Sequence, residues 1–125
     1  MSDDVRRRGV EVRRAVLGDA YVDRSAAART PLNEEFQELF LNRYTWGEIW
    51  TRPGLERRVR SMITVAMLIA LNREEELAIH LRGALNNGVT EDELKEVLLQ
   101  SAIYCGVPAA NGAFKVAAKV FEQPG

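Results

Sequence analysis

The sequence predicts an all-α fold, a single domain of six helices over residues 1–125. Three observations predict it. Apolar residues recur at intervals of three and four along nearly the whole chain, and no segment alternates with period two. The breaks between periodic stretches carry helix start and stop signals. A length of 125 residues with 46% hydrophobic and 28% charged residues suits one soluble core. Residues 1–29 read as an N-terminal helix and a connection, and residues 30–125 as the core.

Val5, Gly9, Val12 and Val16 line a first, strongly basic helix, whose Arg6, Arg7, Arg8, Arg13 and Arg14 read as a solvated face. Asp19 to Arg29 reads as a connection. Thr30-Pro31 resembles an N-cap followed by proline at the first helical position. Phe36, Leu39, Phe40, Arg43 and Tyr44 follow at helical spacing, and this second helix is expected to end near Trp46-Gly47. Arg52-Pro53-Gly54 is a turn. Leu55 to Leu71 is expected as the longest helix, apolar all round in its second half and therefore buried.

Asn72 is expected to cap the fourth helix, with Glu75 as its capping-box partner and Glu74, Glu75 and Glu76 favoured by the helix dipole. Gly88 stops that helix after Asn86-Asn87. Thr90-Glu91-Asp92-Glu93 is a capping box, with Val89 and Leu94 placed as a hydrophobic staple. Leu94, Val97, Leu98, Ser101, Ala102 and Cys105 form one stripe of the fifth helix. Gly106-Val107-Pro108 breaks the chain before a last helix over Ala109–Phe121, with Phe114, Ala117, Ala118 and Phe121 in line.

One cysteine and one histidine exclude an intramolecular disulfide, a CxxC redox pair and the common zinc ligand sets, so no metal is expected. A net charge of −1 gives no electrostatic footprint for nucleic acid. The longest apolar run, Met62 to Leu71, is half of the ~20 residues a membrane crossing needs. The N-terminus lacks an apolar signal segment. By elimination, a cytoplasmic location is expected, with no membrane partner. P-loop, dinucleotide and HExxH motifs are absent.

On a helical wheel, Leu77, Ala78, Leu81, Ala84 and Leu85 fill an apolar arc, and Arg82 lies opposite. His80, Arg73 and Glu76 share one border of that arc, with Gly83 beside them. This pattern suits either a reactive cluster or a structural histidine beside a solvated ion pair. Trp46, Glu48 and Trp50 suit either a pocket wall for a small unsaturated molecule or ordinary packing. Among Arg57, Arg58 and Arg60, Arg58 shares a face with Met62 and Val65 and is the candidate carboxylate anchor. The free N–H groups after Gly106, joined by Asn111, suit either an anion site or a plain interhelical turn. Cys105 reads as a core residue.

Four blocks carry a resemblance. They are Tyr44–Trp50, Arg52–Arg58, the stretch from Glu75 through His80 to Gly88, and Tyr104–Asn111. In unbroken order from about residue 30 to the C-terminus, they resemble the carboxymuconolactone decarboxylase family. The resemblance implies an all-helical fold like that of alkylhydroperoxidase D. It also implies a homo-oligomer, a trimer or hexamer, with active sites near subunit contacts. Peroxidase relatives carry CxxCxxxH. When His80 is aligned with that histidine, Arg73 and Glu76 stand where the cysteines would be, which argues against redox chemistry.

The implied activity is decarboxylation, without cofactor or metal, of a small dicarboxylate lactone in protocatechuate catabolism by the β-ketoadipate pathway. The alternatives are an alkylhydroperoxidase-like redox protein, a non-catalytic oligomeric helical domain, and a lactone-modifying enzyme with another substrate. The resemblance makes His80 the proton or hydrogen-bond donor, and Arg73 and Arg58 clamps for carboxylate or oxyanion. Glu76 or Glu48 would orient His80 and help keep it protonated. Trp46 and Trp50 would exclude water, and Asn111 would contact substrate.

Overall fold

A computed structural model describes residues 2–123. Its helices are α1 (Ser2–Leu17), α2 (Asp19–Ala27), α3 (Glu34–Phe36), α4 (Arg57–Ala70), α5 (Glu74–Asn86), α6 (Glu91–Cys105) and α7 (Val107–Glu122). After α3 the chain continues without a break as a π-helix, Gln37–Ile49. The all-α expectation is met, with seven α-helices among the described residues rather than six. The chain divides into two compact units, one ending at Glu56 and the other beginning at Arg57.

In the first unit, the expected connection after Asp19 is itself helical. Ala20, Ala26 and Ala27 favour helix, Val22 is buried, and Gly18, at φ 90°, turns the chain between α1 and α2. Thr30 bonds reciprocally with Asn33, side chain to backbone in both directions (2.9 and 3.4 Å). It therefore closes a turn, and the α-helix begins only at Glu34.

The π winding overturns the expected burial pattern. Trp50 N–H bonds the Thr45 carbonyl five residues back at 3.0 Å. Gln37, Asn42, Trp46 and Gly47 are buried. Ordinary α winding would scatter these positions around the helix, whereas wider turns gather them on one side. The α-periodic Phe36, Leu39, Phe40 and Tyr44 are left exposed.

Gly9 and Gly47 let α1 meet the π-helix backbone to backbone. A Cβ on Gly9 would lie 2.1 Å from the Asn42 carbonyl oxygen, and one on Gly47 would lie 2.8 Å from that of Val5. Arg13 corrects the reading of a wholly solvated basic face. It is only 6% exposed and donates to Ser25 Oγ (3.2 Å) and Asn42 Oδ1 (3.4 Å).

In the second unit, α4 to α7 enclose an apolar core built from Val65, Ile69, Leu77, Leu81, Leu94 and Leu98, among others. The helix α7 contributes buried Ala110, Ala113, Ala117 and Val120; of the expected line, Ala117 and Phe121 join the core while Phe114 is exposed. It starts at Val107, so Gly106 alone (φ 99°) makes the break. The helix α4 is shorter than expected and not buried all round, because Ile63, Met67 and Leu71 are exposed.

Two interhelical turns show why one capping expectation held and another failed. At Thr90 both halves of the capping box are present, each bond 3.0 Å. Asn72 instead ends α4. It sits at φ 56°, and Arg73 N–H and Asn72 N–H bond the Leu68 and Ile69 carbonyls (3.0 and 3.2 Å). This is a Schellman turn with asparagine at the left-handed position. Claimed by the helix before it, Asn72 cannot cap the helix after it, and Arg73 takes the N-cap position without a side-chain cap bond. Gly88 does the same for α5, with Val89 N–H bonding the Ala84 carbonyl at 3.0 Å.

Candidate active site

His80 lies in the middle of α5, between buried Leu77 and Leu81 and one turn before buried Gly83 and Ala84. These apolar neighbours anchor the helix in the core, so the imidazole projects from a rigid element. Burial pushes its pKa down to about 4, and the nearby Glu76 carboxylate only partly opposes this. Desolvation penalises the imidazolium more than one nearby carboxylate restores it. Glu76 acts in the expected direction, favouring the charged ring, but burial outweighs it, so at neutral pH the ring is neutral and carries one N–H.

Arg73 stands at the start of the same helix with its guanidinium largely exposed. Its Nε lies 3.7 Å from Glu76 Oε1. That separation makes a loose ion pair, which leaves the arginine able to take another anion. Glu76 links the other two, pairing loosely with Arg73 and acting electrostatically on His80, while Arg73 itself sits at the N-cap with non-helical backbone (φ −103°, ψ 76°).

The other expected residues lie on other elements. Arg58, on α4, is half-buried and pairs with Glu93 of α6. Glu93 also accepts the Thr90 N–H, and these bonds, the Arg58 bond foremost, hold its carboxyl below the usual range. Asn111 is exposed on α7. In the first unit, Trp46 and Trp50 are both buried and stacked, ring centroids 4.8 Å apart at 27°. Glu48 is exposed beside a shallow cleft shared with Val5, Leu39, Arg43 and Tyr44. Cys105 is half-buried at the end of α6. Among the described residues, no three His, Cys, Asp or Glu side chains gather as metal ligands. No described helix is long and apolar enough to cross a membrane.

Sequence reasoning missed the ties that hold α5 in place. Arg82, read as pointing away from the apolar arc, donates to the Val120 and Gln123 carbonyls (2.6 and 2.9 Å) and caps the end of α7. Asn87 Nδ2 donates to buried Ser61 Oγ of α4 at 2.9 Å. The carboxylate of Glu74 fills the notch over Gly112. The only signal for these in the sequence was glycine or a polar residue near a helix end.

The second unit is all-helical and presents a half-buried, neutral imidazole on α5 and a loosely paired arginine at that helix's N-cap, with one cysteine in the whole sequence. The chain belongs to the carboxymuconolactone decarboxylase family, whose model matches residues 34–119. It is 49% identical to a 4-carboxymuconolactone decarboxylase of Acinetobacter baylyi, covering 100% of this chain and 93% of that protein. It is 42% identical to a nitrosuccinic acid decarboxylase of Metarhizium robertsii, covering 98% of this chain and 87% of that protein. An uncharacterized 15.0 kDa protein of Paracoccus denitrificans is 28% identical over 80 residues, 62% of this chain and 60% of that protein.

Proposed function

We propose that the chain decarboxylates 4-carboxymuconolactone to the β-ketoadipate enol-lactone in aromatic catabolism, as a cytoplasmic homo-oligomer. The observation that carries this reading is the 49% identity, end to end, with a decarboxylase of that substrate. The chemistry fits the residues. The bond from ring carbon to carboxylate breaks and CO₂ leaves. The electron pair moves through the C=C bond onto the lactone carbonyl, giving a dienolate, and a proton then adds to the carbon α to that carbonyl. The substrate is its own electron sink, so the protein has to bind two carboxylates, steady an oxyanion and let one proton in.

We assign the neutral His80 N–H to the oxyanion, a contact worth ~3–4 kcal/mol in comparable sites. Arg73, loosely held by Glu76, takes a substrate carboxylate, and Arg58 and Asn111 are further candidates for carboxylate contact. Glu76 orients the imidazole.

His80→Ala is expected to keep its helicity and lose ~10²–10⁴-fold in kcat/KM, followed by loss of lactone absorbance. Turnover at the unsubstituted rate would remove His80 from the mechanism.

A second reading rests on the relative acting on nitrosuccinic acid. That acid also carries two carboxylates, and its nitro group takes the electron pair as a nitronate. The same assay run on both acids ranks the two readings by kcat/KM.

A further inference from the structure

Helix α5, which carries His80, is tied to two different helices by side-chain hydrogen bonds. At its C-terminal end, Asn87 Nδ2 donates to Ser61 Oγ of α4 at 2.9 Å, and Ser61 is fully buried. Arg82, two residues after His80, projects from the other side of α5. Its guanidinium donates to the Val120 and Gln123 carbonyls at the end of α7, at 2.6 and 2.9 Å. Carbonyls at a helix C-terminus favour a cation as well as a donor, and Arg82 supplies both.

Neither tie is needed to make α5 helical. Leu77, Leu81 and Ala84 bury one side of the helix, and Gly88 stops it. That burial fixes which side faces inward but not the fine rotation about the axis, because the hydrophobic effect is non-directional. Hydrogen bonds weaken steeply once their geometry is lost. A rotation of α5 that keeps the bond to α4 pulls against the bonds to α7, so together the ties hold one orientation.

We infer that Arg82 and Asn87 are positioning residues that fix the rotation of α5 and so aim the His80 ring. The inference rests on the role proposed above for His80 and deepens it. A side chain on a helix ends ~5–6 Å from the axis. A rotation of ~10° therefore carries the ring about 1 Å, and a misplacement of that size costs ~10²-fold in rate. Arg73 has a long, exposed side chain that follows a shift of this size. Carboxylate binding is spared, while the contact to the developing oxyanion is lost. A contact made only in the transition state appears in kcat and leaves KM unchanged.

The test compares the full chain with two variants. Arg82→Met keeps the apolar stem and loses the donors. Ser61→Ala removes the acceptor on α4 and leaves the sequence of α5 untouched. Both are expected to keep wild-type helicity by circular dichroism, and should one fail to fold, the other decides. Each is expected to lose ~10–100-fold in kcat on 4-carboxymuconolactone, with KM within about two-fold of wild type. His80 is the single histidine of the chain, so its ring gives one unambiguous proton–carbon resonance, which is expected to move in both variants. A folded variant whose ring resonance stays in place overturns the inference. So does a kcat within about two-fold of wild type, or a loss confined to KM. If the wild type does not turn over the lactone, the proposed reaction fails, and the ring resonance alone judges the positioning.

Discussion

Residues 2–56 and residues 57–123 are both helical, and each unit is held together by different means. The first unit relies on close backbone contact and on charge. Gly9 and Gly47 bring two helices into contact, Arg13 is buried among neutral partners, and Glu38 accepts from Arg6 (2.6 and 3.0 Å), Arg29 (3.0 Å) and Asn42 (3.1 Å). Those bonds, the Arg6 bond foremost, hold the Glu38 carboxyl down to about 2. The second unit relies on a continuous apolar core and carries one histidine whose charging that core suppresses. The shifted pKa of His80 comes from the apolar surround that the second unit gives it.

The sharpest way to break this comparison is at the glycines. Gly9→Ala places a methyl group against backbone atoms that cannot turn aside, and is expected to cost about 3 kcal/mol. Gly112→Ala, in the second unit, meets only the end of the Glu74 side chain at 2.7 Å, and should cost well under ~1 kcal/mol. Urea unfolding of the two variants measures both. Equal losses would mean that the first unit does not depend on backbone contact.

Acid separates the units next. The folded state holds the His80 pKa down to about 4 against an ordinary 6.5, so below pH 6.5 the unfolded chain binds the extra proton. The contribution is complete above pH 6.5 and is lost as pH falls toward 4, amounting to about 3 kcal/mol. His80→Gln should abolish that part of the pH dependence. The Glu38 network loses its contribution only lower, as pH falls from 4.5 toward 2. An unchanged slope between pH 6.5 and 4 in His80→Gln would show that the imidazole is not held neutral.

The smallest effect tests whether local signals matter in the apolar unit. Thr90→Ala removes the α6 cap, and a loss of ~1 kcal/mol is expected in the urea midpoint.

Legibility followed the same division. In the second unit, the apolar stripes of α5 and α6, the stop at Gly88 and the Thr90 box were all readable, because 3.6-residue periodicity and capping act locally. Asn72 was misassigned because asparagine suits both a cap and a left-handed turn, and which helix claims it depends on where α4 ends. In the first unit, the α-periodic stripe from Phe36 to Tyr44 pointed the wrong way, since π winding changes which residues share a face. The family resemblance drew attention to His80, but the state of its ring was not legible there.

The sequence by itself determined the helical class, the family and the placing of Glu76 one turn before His80 on α5, because spacing along one helix fixes a face without help from the rest of the chain. Tertiary structure decided the rest. It buried Arg13 and stacked Trp46 on Trp50. It engaged Arg58 with Glu93 and turned Arg82 onto the end of α7. It also left Ile63 and Met67 facing outward and made His80 neutral. Each of these depends on what a neighbouring element brings within a few ångströms, and desolvation and pairing are set by those neighbours.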